Sequence, residues 1–102
     1  RWRLKKAEQV VLLGYRGNEL AAQPILLGRV RPSEDVLDRT GYILGISIGL
    51  AALYDDSIEA ELAWLNRVNR QLANTSPFAV MLRGKMLDII EVHKVVLKER
   101  AL

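Results

Sequence analysis

From Tyr42 to Tyr54 the chain carries no charge, and Ser47 is the one conventional polar side chain in that run. A helix that is apolar on every side is normally buried on every side. Residues 35–54 are therefore expected to form the hub of the molecule. The uncharged run is shorter than the ~20 apolar residues a membrane crossing needs, and Asp38, Arg39, Asp55 and Asp56 flank it. Gly41, Gly45 and Gly49 recur every four residues, which stacks them on one helix face. Each costs roughly 0.5–1 kcal/mol against Ala in a helix interior. Something should pack on that bare backbone: another helix of the same chain, or a second copy in a homodimer seam.

The remaining pattern is helical throughout. Residues 5–13 read as a short helix closed by Gly14, with Trp2 and Leu4 packing beneath it. Gly17-Asn18 signals a turn, Asn18 is placed to cap a helix over 19–23, and Pro24 opens a further turn ended by Gly28. Two short helices about a Gly-containing turn have the size of a helix-turn-helix unit. Residues 29–32 connect them to the hub helix, which Ser33 caps and Glu34 and Asp35 start. Val36, Leu37, Ile43, Leu44, Ile46 and Leu50 are expected to supply its core side. Asp56 and Glu59 have the spacing of a capping box for a helix over 58–65, with Ile58, Leu62 and Leu65 on one face and Trp64 beside it. Residues 66–74 read as a polar connector anchored by Leu72. Ser76-Pro77 then supplies a cap and an N1 proline for a short helix that Gly84 ends. The last helix covers 85–100, with Met86, Leu87, Ile89, Ile90, Val92, Val96 and Leu97 apolar and Lys85, Asp88, Glu91 and Lys98 wet. No strand alternation appears, so the expected fold is an all-α compact bundle of about six helices.

Composition narrows the chemistry. The 102 residues suit one domain, half of them hydrophobic and about a quarter charged. With no Cys there is no disulfide scaffold and no thiolate metal site, which fits a reducing compartment. The chain starts at Arg1 without a Met and shows no signal peptide, so residues are expected upstream. The net charge of +3 is unevenly spread: residues 1–33 hold seven basic and two acidic side chains, residues 34–102 eight basic and ten acidic. A basic front suits a polyanion partner, though scattered surface Lys and Arg give the same count. Converging catalytic groups are few. His93 is the single histidine, and it points away from Asp88 and Glu91, because two residues turn a helix by about 200°. Glu59 and Glu61 read as a solvated helix surface. There is no phosphate loop and no nucleophile elbow, so the residues indicate a binding protein that carries out no reaction.

Two stretches go further. AELAWLNRVNRQLANTSPFAVMLRGKMLDIIEV, through Ala63, Trp64, Leu65, Asn69, Ser76, Pro77, Phe78, Met81, Leu82 and Gly84, resembles the toxin-binding domain of the MbcA/ParS/Xre antitoxins. Upstream, Leu12-Leu13-Gly14 and LDRTGYILGI resemble that family's Xre-like helix-turn-helix segment and its exit. Val68 stands where the family usually has Pro. Asn74 stands where it often has Gly, a mild change because Asn tolerates left-handed geometry.

The resemblance implies a division into 1–33, an incomplete Xre-like helix-turn-helix segment, and 34–102, the toxin-binding domain. It implies a cytoplasmic antitoxin of a type II toxin–antitoxin system, a homodimer or larger, with no cofactor and no metal. Such an antitoxin neutralises a RES-domain toxin that degrades NAD by binding over its active site, and represses its own operon by binding DNA. Toxin contacts are then expected at Trp64, Asn69, Arg70, Met81, Arg83, Lys85, Lys98, Arg100 and Leu102. Operator contacts are expected at Arg16, Asn18, Gln23, Arg29 and Arg31, residue types that hold phosphates or read base edges. The alternatives are a free-standing helical DNA-binding transcriptional regulator without a toxin partner and a helical oligomerisation module that binds no DNA.

Overall fold

Capping side chains and left-handed residues divide this chain more sharply than its apolar runs do. The computed structural model describes residues 2–15, 23, 26, 28 and 33–101. Helix α1 (Lys6–Leu12) gives way to Gly14, which turns the chain at φ +90°. The Ser33 hydroxyl accepts from the Val36 amide and starts α2 (Glu34–Leu53), with Glu34 and Asp35 in the first turn. Such a cap satisfies an amide that has no partner inside the helix, and the acids complement its dipole. Helix α3 (Ile58–Asn66) is capped by Ser57, whose hydroxyl accepts from the Ala60 amide. That corrects the capping box expected on Asp56. Asp55 and Asp56 both have positive φ, +49° and +62°, whereas an N-cap needs the extended geometry that Ser57 has.

A 3-10 turn (Arg70–Leu72) occupies the expected polar connector, and α4 (Pro77–Met81) follows with Ser76 as its cap and Pro77 at its start. The last helix, α5, is Met86–Ala101. The fold is an all-α bundle; among the described residues the strand-like pairing is a single bridge between Asn69 and Thr75. Of the two short helices expected before Ser33, Gln23 and Leu26 are helical and Gly28 has φ +69°. Their other residues, with the connector 29–32, lie outside the described residues.

Helices α2 and α5 run side by side in the same direction. Going up α2, Arg39 meets Gly84, Tyr42 and Gly45 meet His93, and Gly49 meets Val96. A Cβ on Gly45 would stand 2.7 Å from His93 Nε2, and one on Gly49 would overlap Val96 Cγ1. These two glycines let α5 approach the α2 backbone, so an intrachain helix crossing accounts for them. Around Gly41 there is open space.

The core joins Trp2 and Leu12 to Ile46 and Leu50 of α2, Trp64 and Leu65 of α3, Met81 of α4, and Ile89, Val92, Val95 and Val96 of α5. The hub helix is covered on one side only, contrary to expectation. Leu37, Leu44 and Ile48 are 48%, 57% and 57% exposed, so two of the expected core residues face outward. Leu87 and Leu97 on α5 are exposed as well, while Val95 is buried. The apolar run was uniform, so periodicity did not mark which side α5 would take. At 20 residues α2 is also long and apolar enough, by length and composition, to cross a membrane. It packs as the central helix of the bundle, with Arg39 buried within it.

Candidate functional site

The expected toxin-contact residues of 63–85 fold into one frame. Asn69 organises its first half. The Asn69 amide donates to the Thr75 carbonyl at 3.1 Å, and the Asn69 carbonyl accepts from the Leu72 and Asn74 amides at 3.0 Å each. The Asn69 side-chain oxygen accepts from the Gln71 amide at 2.9 Å and caps the 3-10 turn. Ala73 and Asn74 follow in left-handed geometry, φ +54° and +58°. Asn at the second of these is a residue type that tolerates the region. Leu72 and Pro77 are buried as anchors, and Arg70 is left exposed at the turn.

The second half is the turn Arg83-Gly84-Lys85 between α4 and α5. Gly84 has φ +84°, a conformation that favours glycine. Its carbonyl accepts a 2.6 Å hydrogen bond from Arg39, whose Nε also donates to Asp35 Oδ2 at 2.8 Å. The Arg39 side chain is 11% exposed and lies against Gly14 at the end of α1. One guanidinium therefore ties α1, α2 and the α4–α5 turn together and fixes where Arg83 and Lys85 project. Sequence reasoning assigned Arg39 no such role. Its signal was a charge spaced four residues after Asp35, at the edge of an apolar helix.

Arg83 is about half exposed, with Nη1 3.8 Å from Asp88 Oδ1. It lines a cleft of about 230 Å³ with Gln71, Ala73, Asp88 and Glu91. Lys85 is exposed, and its carbonyl accepts from the Asp88 and Ile89 amides at the start of α5. Arg70, Arg83 and Lys85 thus border two neighbouring turns that α3, α4 and Arg39 hold in place. The frame leaves these three cations exposed at its outer edge. Among the described residues no group of His, Asp and Glu is arranged to hold a metal ion.

Other expected contacts do not join this surface. Trp64 and Met81 are 2% and 0% exposed, so both are core and present no surface to a partner. Trp64 Nε1 is buried with no hydrogen-bond partner among the described residues. Lys98 and Arg100 sit at the far end of α5, about 20 Å from Lys85 at 1.5 Å per residue. The methylene stem of Arg100 passes Gly49. Leu102, Arg16, Asn18, Arg29 and Arg31 lie outside the described residues; Gln23 is exposed. Glu61, expected on a solvated face, is fully buried, with Trp2 Nε1 3.5 Å from its Oε1. A second cleft, of about 480 Å³, runs between the N-terminal segment and α2, lined by Trp2, Leu4, Gln9, Thr40, Ile43 and Ser47 among others. Thr40 and Gln9 spend their donors on the Val36 and Leu4 carbonyls, so its walls are mainly apolar.

No family model matches the chain, and no solved structure matches it significantly. It is 31% identical over 94 residues to the uncharacterized protein y4oB of Sinorhizobium fredii (strain NBRC 101917 / NGR234). The match covers 92% of this chain and 71% of that protein. On that identity and coverage, the chain belongs to the family of y4oB.

Proposed function

We propose that this chain is an antitoxin that acts in the cytoplasm by binding, with no reaction of its own. It neutralises a RES-domain toxin that degrades NAD by covering the toxin's active site, and it represses its own operon through the basic front. The observation that carries this reading is the behaviour of the stretch that resembles the MbcA/ParS/Xre toxin-binding domain. That stretch forms one rigid frame, with Trp64, Leu72, Pro77 and Met81 as anchors and Arg70, Arg83 and Lys85 on the outside. Long cationic side chains on fixed turns suit the acidic rim of a protein partner, since charges held in place give register and association rate. The working form is a homodimer or larger, and the operator contacts fall among Arg16, Asn18, Gln23, Arg29 and Arg31.

The test is to co-express the tagged chain with the product of the adjacent gene and to measure co-purification and cellular NAD⁺. A stable complex that preserves NAD⁺, against depletion when the neighbour is expressed alone, supports the proposal. A complex without any effect on NAD⁺ keeps the antitoxin and changes the toxin's chemistry. Absence of a complex, with binding to the upstream DNA, replaces the proposal with a free-standing regulator.

A further inference from the structure

Helix α2 presents to solvent the stripe Leu37, Gly41, Leu44 and Ile48, spaced four, three and four residues apart. Three of these are large apolar side chains about half exposed, and Gly41 has nothing above it. Leu97, 49% exposed, extends the patch on α5 one turn beyond His93. Apolar surface gathered in this way marks an interaction site rather than ordinary surface. We infer that this stripe is the seam of a two-fold homodimer, in which α2 packs antiparallel on α2 of a second copy with Leu44 at the axis.

Two properties of the stripe select a second copy as its occupant. The first is shape. Reversing α2 about Leu44 sets Leu37 against Ala51, and Ile48 against Thr40 and Gly41, so large side chains meet small ones along the seam. An isologous contact requires this self-complementarity, and the open backbone at Gly41 is where the Ile48 of the second copy seats. The second is charge. Asp38 lies at the N-terminal end of the face, beside a shallow cleft of about 330 Å³ lined by Leu37, Gly41, Tyr42 and His93. Arg100 lies at the opposite end, level with Gly49. Neither forms an ion pair among the described residues. Their levels on α2, 38 and about 49, are nearly equidistant from 44, so the same two-fold brings each Asp38 to the Arg100 of the other copy. Lys94, nearer the middle, is paired with Glu91 at 3.5 Å. Glu34 and Asp55, both exposed, fall at the two ends of the stripe, where water and salt screen their repulsion. The seam rests on the homodimer of the proposed function and gives it a surface; it uses neither Arg70, Arg83 nor Lys85, so its failure leaves the toxin contacts to be tested separately by co-purification.

The experiment is sedimentation equilibrium on the full chain over a range of concentrations, with circular dichroism on every variant. The wild type is expected to be a dimer. Leu44→Glu places two carboxylates face to face at the axis and should raise the dimer Kd more than about a hundredfold, with an unchanged helical spectrum because Leu44 is exposed in the subunit. Asp38→Arg or Arg100→Glu alone should raise Kd about tenfold, since symmetry counts each pair twice. The double variant Asp38→Arg/Arg100→Glu should recover most of that loss. A wild type that stays monomeric, a dimer indifferent to Leu44→Glu, or a double variant no better than the single ones overturns the seam. So does a monomeric wild type whose α2 face is taken up by lipid vesicles.

Discussion

The Arg39 guanidinium donates to the Gly84 carbonyl at 2.6 Å across 45 residues of chain, linking α2 to the turn that carries Arg83 and Lys85. Removing it leaves a partly buried carbonyl short of a donor and Asp35 without its partner. Arg39→Met is expected to lower unfolding free energy by about 1.5–3 kcal/mol, the range for hydrogen bonds to charged groups. Arg39→Lys recovers only part, because an ammonium does not reproduce the planar fork that reaches Asp35 and Gly84 together. Asp35→Asn should cost less than about 1 kcal/mol, since the Asp35 carboxylate is 59% exposed. Urea denaturation of the three variants gives the order.

The α2 glycines separate by what lies above them. Gly49→Ala drives a methyl into Val96, which is fully buried, and should cost about 1–3 kcal/mol as an overpacking change. Gly41→Ala meets open space and should stabilise the subunit by about 0.5–1 kcal/mol through helix propensity. Thermal melts at high dilution, where subunits are separate, should show shifts of opposite sign.

Helix capping gives a third pair. Ser57→Ala removes the acceptor for the Ala60 amide and should cost about 1 kcal/mol. Asp56→Gly should cost less than Ser57→Ala, because Asp56 holds φ +62°, where glycine is unstrained. Equal losses from the two would put the cap back on Asp56.

For the proposed partner surface, Arg83→Ala with Lys85→Ala should weaken capture of the co-expressed neighbour by about tenfold, the scale of charge pairs at an interface, and leave the melting temperature within a few degrees. Trp64→Ala should do the reverse: a cavity in the core costs about 3–5 kcal/mol, and binding falls only as the fold is lost. A pull-down paired with a melting curve tells them apart.

Much of the fold was legible because its boundaries are written in local chemistry. Ser33, Ser76-Pro77, Gly14 and Gly84 act through their own side chains or their lack of one, and each marks a boundary where the sequence puts it. What failed needed knowledge of neighbours. Leu37 and Leu44 are as apolar as Ile46 and Leu50, and only the placement of α5 decides which pair is covered. Glu61 looks like any helix-surface acid until Trp2 closes over it. The site is split in the same way: Arg83 and Lys85 are charges flanking a glycine, whereas Arg39 acts across 45 residues, and its one local mark, the spacing from Asp35, does not point to Gly84.

The parallel pairing of α2 with α5 sets a timetable for synthesis. The groove at Gly45 and Gly49 is complete once residue 53 has been made, yet its lid, residues 93–96, is made some forty residues later. At about 5–20 residues per second, the apolar hub helix waits roughly 2–9 s for its cover. The nascent chain is therefore a natural client for chaperones at the ribosome during that interval. A mutation that slows translation between residues 53 and 96 would lower yield without touching the stability of the finished protein.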